Sequence, residues 1–316
     1  MKNLTSAERE GFEQAKAVEV KNFIAARAFE ALPPELRPPE EKAIKMRWLL
    51  TWKVKEDGST KPKARAILLG YQDPEYEHRS TTSPVMTKQT RQLMLAATAR
   101  FGWKVWKGDV TGAFLQGRTY PGELYCIPCD EICSAMGLDK GSITRVRKGC
   151  YGLVDAPIEW YRSVSEYLET LGLVKSWSDP CLWMWKPQGK LQGLIAGHVD
   201  DFLFTGPPHC PAWNKILESI KNKFKWTDWE TKSFTQCGVL VEEQPDGSFH
   251  LSQKQYVEKI PEIFLNATRK KQSNETTTDR EKGQLRATLG ALSWYAQQTA
   301  PHVSAEVGLL LSEVSS

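Results

Sequence analysis

At 316 residues, 41% hydrophobic and 25% charged, the chain has enough apolar content for one large core or two ordinary ones, which excludes a low-complexity or disordered protein. A formal net charge of +4 is only mildly basic, so it admits a nucleic-acid partner without demanding one. No apolar run reaches the roughly 18 residues that cross a bilayer, and the charged stretch after Met1-Lys2-Asn3-Leu4-Thr5 is no secretory signal.

Residues 6–31 carry helical spacing, with Phe12, Ala15, Val18, Phe23, Ile24 and Phe29 among charged positions, and Ser6, Glu8 and Glu10 suit a helix start. Pro33-Pro34 and Pro38-Pro39 then break the chain. The pattern predicts a strand over Ala43 to Val54, a turn at Asp57-Gly58, and a returning strand over Lys61 to Leu69. The facing ends of these arms carry Lys53, Lys55, Lys61, Lys63 and Arg65. Such an arm is either a solvated lysine-rich hairpin or one that touches phosphates.

A helix is expected over Thr87 to Arg100, then a strand from Val105 to Val110 that delivers the carboxylate of Asp109 at its end. Thr111 to Leu115 reads as a turn opening a short helix. The spacing Cys126-x-x-Cys129-x-x-x-Cys133 resembles a set of metal ligands but lacks a fourth at a suitable position, so thiols in a loop are expected. Seven cysteines, an odd number in a long chain, fit reduced thiols in an intracellular compartment. After Lys148-Gly149-Cys150-Tyr151-Gly152-Leu153 and Asp155-Ala156-Pro157, a helix is predicted over Ile158 to Leu171, closed by Gly172. A strand over Asp179 to Trp185 follows.

Next come two apolar arms, Leu191 to Ala196 and Phe202 to Phe204, flanking Gly197-His198-Val199-Asp200-Asp201. Alone, an Asp-Asp pair at a turn is an ordinary solvated feature; held between buried arms, it concentrates negative charge and suits a divalent cation. Beyond it lie a basic helix from Trp213 to Phe224 and a hairpin of Cys237–Val241 with Phe249–Leu251. Helices are expected over Lys254 to Leu265 and Gln284 to Gln298, with a polar loop from Thr268 to Glu281 between them.

Several motifs in this order are quotable: Lys63-Ala64-Arg65 with Gly70-Tyr71; Ser83-Pro84-Val85; Gly108-Asp109-Val110 with Ala113-Phe114-Leu115-Gln116-Gly117; Tyr151-Gly152-Leu153 with Ala156-Pro157; Val199-Asp200-Asp201; and Leu251-Ser252-Gln253 with Tyr256. Together they resemble the reverse transcriptase of copia-type LTR retrotransposons, over nearly the whole chain.

The resemblance implies an α+β right-hand polymerase fold, with fingers, a palm of antiparallel sheet backed by helices, and a small helical thumb. Residues 1–42 would be a helical lead-in, 43–252 fingers and palm, and 253–316 the thumb-like part. It implies RNA-directed DNA polymerase activity, with a primed RNA or DNA template and dNTPs as substrates. Two Mg²⁺ ions, for which Mn²⁺ can substitute, would be held by Asp109, Asp200, Asp201 and the carbonyl of Val110. Lys63 and Arg65 would grip the triphosphate, and Phe114 would lie under the sugar, where a ribose 2′-hydroxyl clashes. Tyr151, Gly152 and Pro157 would shape the nucleotide pocket, Lys221 would flank the triphosphate, and His198 would touch the primer end. The other modules of such a polyprotein, integrase and ribonuclease H, would be partners, with no membrane involved. The compartment would be the cytoplasm, in a virus-like particle, or the nucleus.

The chain departs from the family pattern at His198 for Tyr, Val154-Asp155 for Lys-Gln, Thr111-Gly112 for Lys-Thr and Ala300-Pro301-His302 for Arg-Pro-Asp. Ribonuclease H, protease and integrase segments are not recognised, which fits a polymerase module or a fragment of a longer reading frame. Two other readings stay open: a catalytically decayed nucleic-acid-binding protein of the same fold, and a two-metal nuclease.

Overall fold

The computed structural model describes residues 4–54, 58–272 and 275–315. Helix α1 (Ser6–Ala25) begins at a capping box in which Thr5 and Glu8 satisfy each other's backbone amides. It stops short of the predicted end at residue 31. The Arg27 amide bonds the Ile24 carbonyl and the Ala28 amide bonds that of Phe23, with Arg27 at φ +49°, so a Schellman cap forms without the usual glycine. Phe29 then belongs to strand β1 (Phe29–Ala31) instead of the helix.

Strands β2 (Ala43–Val54) and β3 (Thr60–Leu68) form the expected antiparallel pair, with Thr51 opposite Lys63 and Leu49 opposite Arg65. Asp57, at the predicted turn, lies outside the described residues. Helix α2 (Lys88–Phe101), strand β4 (Lys104–Asp109) and the single helical turn α3 (Ala113–Gln116) follow within a residue or two of expectation.

The cysteine region is more ordered than the predicted loop. Strand β5 (Tyr125–Ile127), helix α4 (Asp130–Ala135) and strand β6 (Thr144–Val146) put Cys126 and Cys133 in buried positions. Helix α5 (Ala156–Thr170) carries Pro157 in its first turn, where a missing amide costs nothing. Strands β7 (Leu173–Lys175), β8 (Leu182–Trp185), β9 (Gly193–His198) and β10 (Asp201–Gly206) lead to helix α6 (Pro211–Lys223).

A meander of β11 (Ser233–Gln236), β12 (Val239–Glu243) and β13 (Phe249–Ser252) precedes the last helices, α7 (Lys254–Val257), α8 (Ala267–Lys270), α9 (Asp279–Gln298) and α10 (Ser304–Ser315). Two expectations fail here. The helix predicted over Lys254 to Leu265 is one turn long, since Pro261 cannot donate a helical hydrogen bond and disfavours helix at Ile260. The predicted polar loop ends early, because Thr278 and Glu281 form a capping box that starts α9 at Asp279.

The sheets run β1-β6-β5-β2-β3, β4-β10-β9-β8-β7 and β11-β12-β13. The chain forms two compact units, one of Met1–Thr87, Gly108–Phe202 and His209–Asp228, the other of Lys88–Lys107, Leu203–Pro208 and Trp229–Ser316. The first unit has a core of Phe23, Ile44, Leu68, Ile132, Cys150 and neighbours. Fully buried side chains of this size stabilise by about 1.5–3 kcal/mol each. In the second, Phe204 stacks on Trp229 at 4.2 Å, and the Thr98 and Thr205 hydroxyls share a hydrogen bond of 2.5 Å. Among the described residues no helix is long and apolar enough to cross a membrane.

Candidate active site

The loop between β9 and β10 is two residues, Val199-Asp200, too short for an ordinary type I turn to join twisted strands. It uses a primed geometry instead, with Val199 at φ +61°. A β-branched residue there is strained by roughly 1–3 kcal/mol. The arms hold the strain in place. Gly197 accepts from the Met86 amide at 3.0 Å and donates to the Cys181 carbonyl at 3.1 Å, while a Cβ at Gly197 would overlap the Phe202 ring. The Val199 carbonyl accepts the indole N–H of Trp160 at 2.7 Å.

The end of β4 is brought against this turn by backbone bonding. The Val110 amide donates to the Asp200 carbonyl at 2.7 Å, so the segment after Asp109 is stitched to the Asp-Asp turn. On its other side the Asp109 carbonyl accepts the Thr227 amide at 2.8 Å, and Val110 bridges Trp226. Gln116 locks the same region: its side-chain amide donates to the Thr111 carbonyl at 2.6 Å, and its carbonyl oxygen accepts the Lys225 amide at 2.6 Å. Asp109, Asp200 and Asp201 are each half-buried.

Tyr151 is the hub of the predicted nucleotide-contacting residues. Phe114 meets its ring edge-on at 5.1 Å, and the Arg65 guanidinium lies 5.3 Å from its centroid. Burial pushes the Tyr151 phenol above its ordinary range, Arg65 opposes this, and Asp200, Glu19 and Asp109 add to it. Asp109 and Asp200 therefore act on one hydroxyl. Lys63 is held below the ordinary lysine range, first by burial and then by Arg65 and Lys53, against Glu19 and Asp109.

The strand bearing these cations is seated by two glycines. The Leu68 amide donates to the Tyr151 carbonyl at 2.8 Å. A Cβ on Gly152, whose φ is +95°, would overlap the Leu68 carbonyl, and one on Gly70 would overlap the Gly152 carbonyl.

Pro157 shares a crevice with Ser83, Pro84, Trp160, Gly197 and Val199, beneath the turn. His198 closes β9, half-buried, directly before that turn. Lys221 is exposed on the last turn of α6, ahead of the Lys225 segment that bonds Thr111 and Gln116. Asp155, which stands where the family pattern has Gln, is buried. It accepts from the Tyr120 hydroxyl at 2.8 Å and lies 3.9 Å from Arg79, which also pairs with Asp73 at 2.9 Å. Burial raises its carboxyl above the usual range, with Tyr120 and Arg79 opposing. Burial holds the Cys126 and Cys129 thiols protonated, with Cys129 pushed up to about 12 and Cys126 well above its ordinary value.

Two contributors were missed from the sequence. Glu19 on α1 accepts the Ala66 amide at 3.4 Å, between Arg65 and Ile67, and its charge acts on both Lys63 and Arg65. Burial holds that carboxyl above its ordinary range. Trp160 falls inside the helix predicted over Ile158 to Leu171, where nothing sets it apart from its apolar neighbours, yet its N–H bonds to the turn. Neither signal is local, because both partners lie on distant segments.

Residues 35–276 match the reverse transcriptase (RNA-dependent DNA polymerase) family. The chain belongs to that family. It is 31% identical over 245 residues to the retrovirus-related Pol polyprotein from transposon RE2 of Arabidopsis thaliana, covering 77% of this chain and 16% of the relative. With the corresponding polyprotein from transposon TNT 1-94 of Nicotiana tabacum it shares 24% over 294 residues, 86% of this chain and 22% of the relative. The chain thus spans under a quarter of the length of these relatives, at 16% and 22%. A foamy viral protease-reverse transcriptase solved with double-stranded DNA aligns over 95% of this chain and 44% of its own, at 12% identity and TM-score 0.49. Telomerase from Candida albicans aligns over 95% and 59%, at 12% identity and TM-score 0.41.

Membership carries the copia-type resemblance and the polymerase fold, and the family depends on divalent metal. Among the described residues no group of three or more His, Cys, Asp or Glu side chains is gathered as a metal-holding set. In donor chemistry Asp109, Asp200 and Asp201 fit: all are hard oxygen donors of the kind Mg²⁺ prefers over nitrogen or sulfur.

Proposed function

We propose that this chain is an RNA-directed DNA polymerase that extends a primer on an RNA or DNA template, as one module of a retrotransposon polyprotein that also carries integrase and ribonuclease H. The observation that carries the reading is the bond from the Val110 amide to the Asp200 carbonyl, which joins the Asp109 strand end to the Asp200-Asp201 turn. Asp109, Asp200, Asp201 and the Val110 carbonyl would hold two Mg²⁺ ions, which when bound stabilise the attacking and leaving oxygens of an in-line phosphoryl displacement.

The protein's own part is positioning and charge. Lys63 and Arg65 would neutralise the triphosphate, with Glu19 spacing and restraining their charge. Tyr151 and Phe114 would form the floor and side of the sugar pocket, where the Phe114 ring excludes a 2′-hydroxyl. Pro157 would support the pocket, Lys221 would reach the triphosphate side, and His198 would meet the primer terminus. Residues 43–252 would then act as fingers and palm and 253–316 as thumb.

The test is extension of a labelled primer on an RNA template with dNTPs and Mg²⁺, comparing wild type with Asp200→Asn. Wild type should extend, and the variant should lose activity by several orders of magnitude, about 10³-fold or more. Equal extension by both would overturn the site. Salt-dependent template-primer binding with no incorporation in Mg²⁺ or Mn²⁺ would instead support a decayed binding protein. Template degradation without dNTPs would support a nuclease.

A further inference from the structure

We propose that Trp160 is a positioning residue for Asp200, acting as a hydrogen-bonded pin on the strained turn; this rests on the polymerase reading above. Asp200 is flanked by two peptide groups, and both are tied to other elements. Its own carbonyl accepts the Val110 amide at 2.7 Å, and the carbonyl just before it, that of Val199, accepts the Trp160 indole N–H at 2.7 Å. The orientation of those two peptide planes sets φ and ψ at Asp200, and hence the direction of its carboxylate.

The pin is needed because the turn resists its own shape. Val199 sits at φ +61°, a region that a β-branched side chain avoids, and glycine would occupy without penalty. Without an outside hold, the Val199–Asp200 peptide would rotate to relieve the strain and carry the carboxylate with it. Trp160 is suited to hold it. The ring is 2% exposed, packs edge-on against Phe224 at 5.2 Å, and rides on the fifteen-residue helix α5, so it cannot follow the turn. An indole has one donor and no acceptor, so this N–H has a single use. A merely structural tryptophan satisfying a buried N–H would share the bond but not the coupling to Val199 backbone strain.

The experiment is a cycle of Trp160→Phe, Val199→Gly and the double variant, on the full chain. Trp160→Phe keeps an aromatic ring but removes the donor. It should lower kcat about tenfold and raise the Mg²⁺ concentration for half-maximal extension several-fold, leaving the KM for dNTP and the Kd for template-primer within about twofold. Val199→Gly relieves the strain, so the double variant should extend within about twofold of Val199→Gly alone. Undiminished activity in Trp160→Phe, or additive losses in the double variant, would overturn the proposal.

A second readout needs no catalysis. Val199→Gly should raise Tm by a few degrees where Trp160 holds the strain, and by clearly less in the Trp160→Phe background. Equal shifts in both backgrounds overturn the pin. A wild type that never extends a primer overturns the polymerase reading, while the thermal cycle still decides the pin.

Discussion

A lysine grips phosphate only while protonated, and Lys63 sits where keeping the proton is costly. Burial is the largest cause, followed by Arg65 and Lys53, and the pull of Glu19 and Asp109 does not fully compensate. Its folded pKa is therefore below the ordinary value of about 10.4. Between the two values the unfolded chain binds more protons than the folded one, so this group's contribution to stability rises with pH across that window. Its proposed part in nucleotide capture would run the other way, because the charge disappears as pH rises through the folded value. The alkaline limb of kcat/KM for dNTP, which reports the free enzyme, should accordingly fall below about 10.4. Lys63→Arg keeps its charge throughout and should move the limb to higher pH, at some cost in maximal rate. An unchanged limb in the variant would assign the titration to another group. Single residues of this kind were legible in the chain by type and order, since Lys63, Arg65 and the Asp109, Asp200 and Asp201 carboxylates stand within recognisable motifs. What burial does to such residues was not legible, as Asp155 illustrates: an acid that departs from the family pattern is enclosed by Tyr120 and Arg79.

At the scale of elements, the role proposed for the cationic strand β3 requires that its far end be fixed against the loop that carries Tyr151, as the Leu68–Tyr151 bond fixes it. Gly152 makes that seat possible, because its positive φ and missing side chain let the Leu68 carbonyl approach. Gly152→Ala should cost about 2–4 kcal/mol of stability, since it adds both backbone strain and a clash with main chain that cannot swing aside. In the fraction that folds, displaced Lys63 and Arg65 should raise the KM for dNTP by about tenfold, with kcat less affected. Urea unfolding and steady-state kinetics on the same preparation check both halves. A variant with wild-type stability would mean that β3 is seated by its pairing with β2 alone. The same scale shows why boundaries were read unevenly. Helix α5 has strong apolar periodicity and the β9–β10 hairpin is two unbroken apolar runs about a polar turn, so both were placed within a few residues, whereas α1 was overrun because its Schellman cap uses Arg27 in place of glycine. The three-residue strands β1, β5 and β6 owe their existence to partners elsewhere in the chain, and three residues carry no period.

At the scale of the whole molecule, the order of motifs was enough to reach the family, while the contacts that close each compact unit come from sequence-distant pairs with no pattern of their own. Arg91 is such a contact. It is 2% exposed on α2, and its guanidinium donates to the Gln236 side-chain carbonyl at 3.4 Å and to that of Gln298 at 2.7 Å, so it ties α2 to the end of β11 and the end of α9. Burial holds the guanidinium below its ordinary range, yet an arginine keeps its charge at any working pH. A buried cation bonded through its terminal nitrogens to neutral amides, with its Nε unpartnered among the described residues, is costly to bury but more costly to truncate, because Gln236 and Gln298 would lose their partner inside the unit. Arg91→Ala should therefore lower the stability of the second unit by about 2–4 kcal/mol. Arg91→Met, which refills the space without the donors, should recover only the packing part, on the order of 1 kcal/mol. Urea denaturation followed by tryptophan fluorescence measures both, since Trp229 stacks on Phe204 within the same unit. If the two variants are equally destabilised, the hydrogen bonds account for the loss. If Met restores wild-type stability, Arg91 is only filling space.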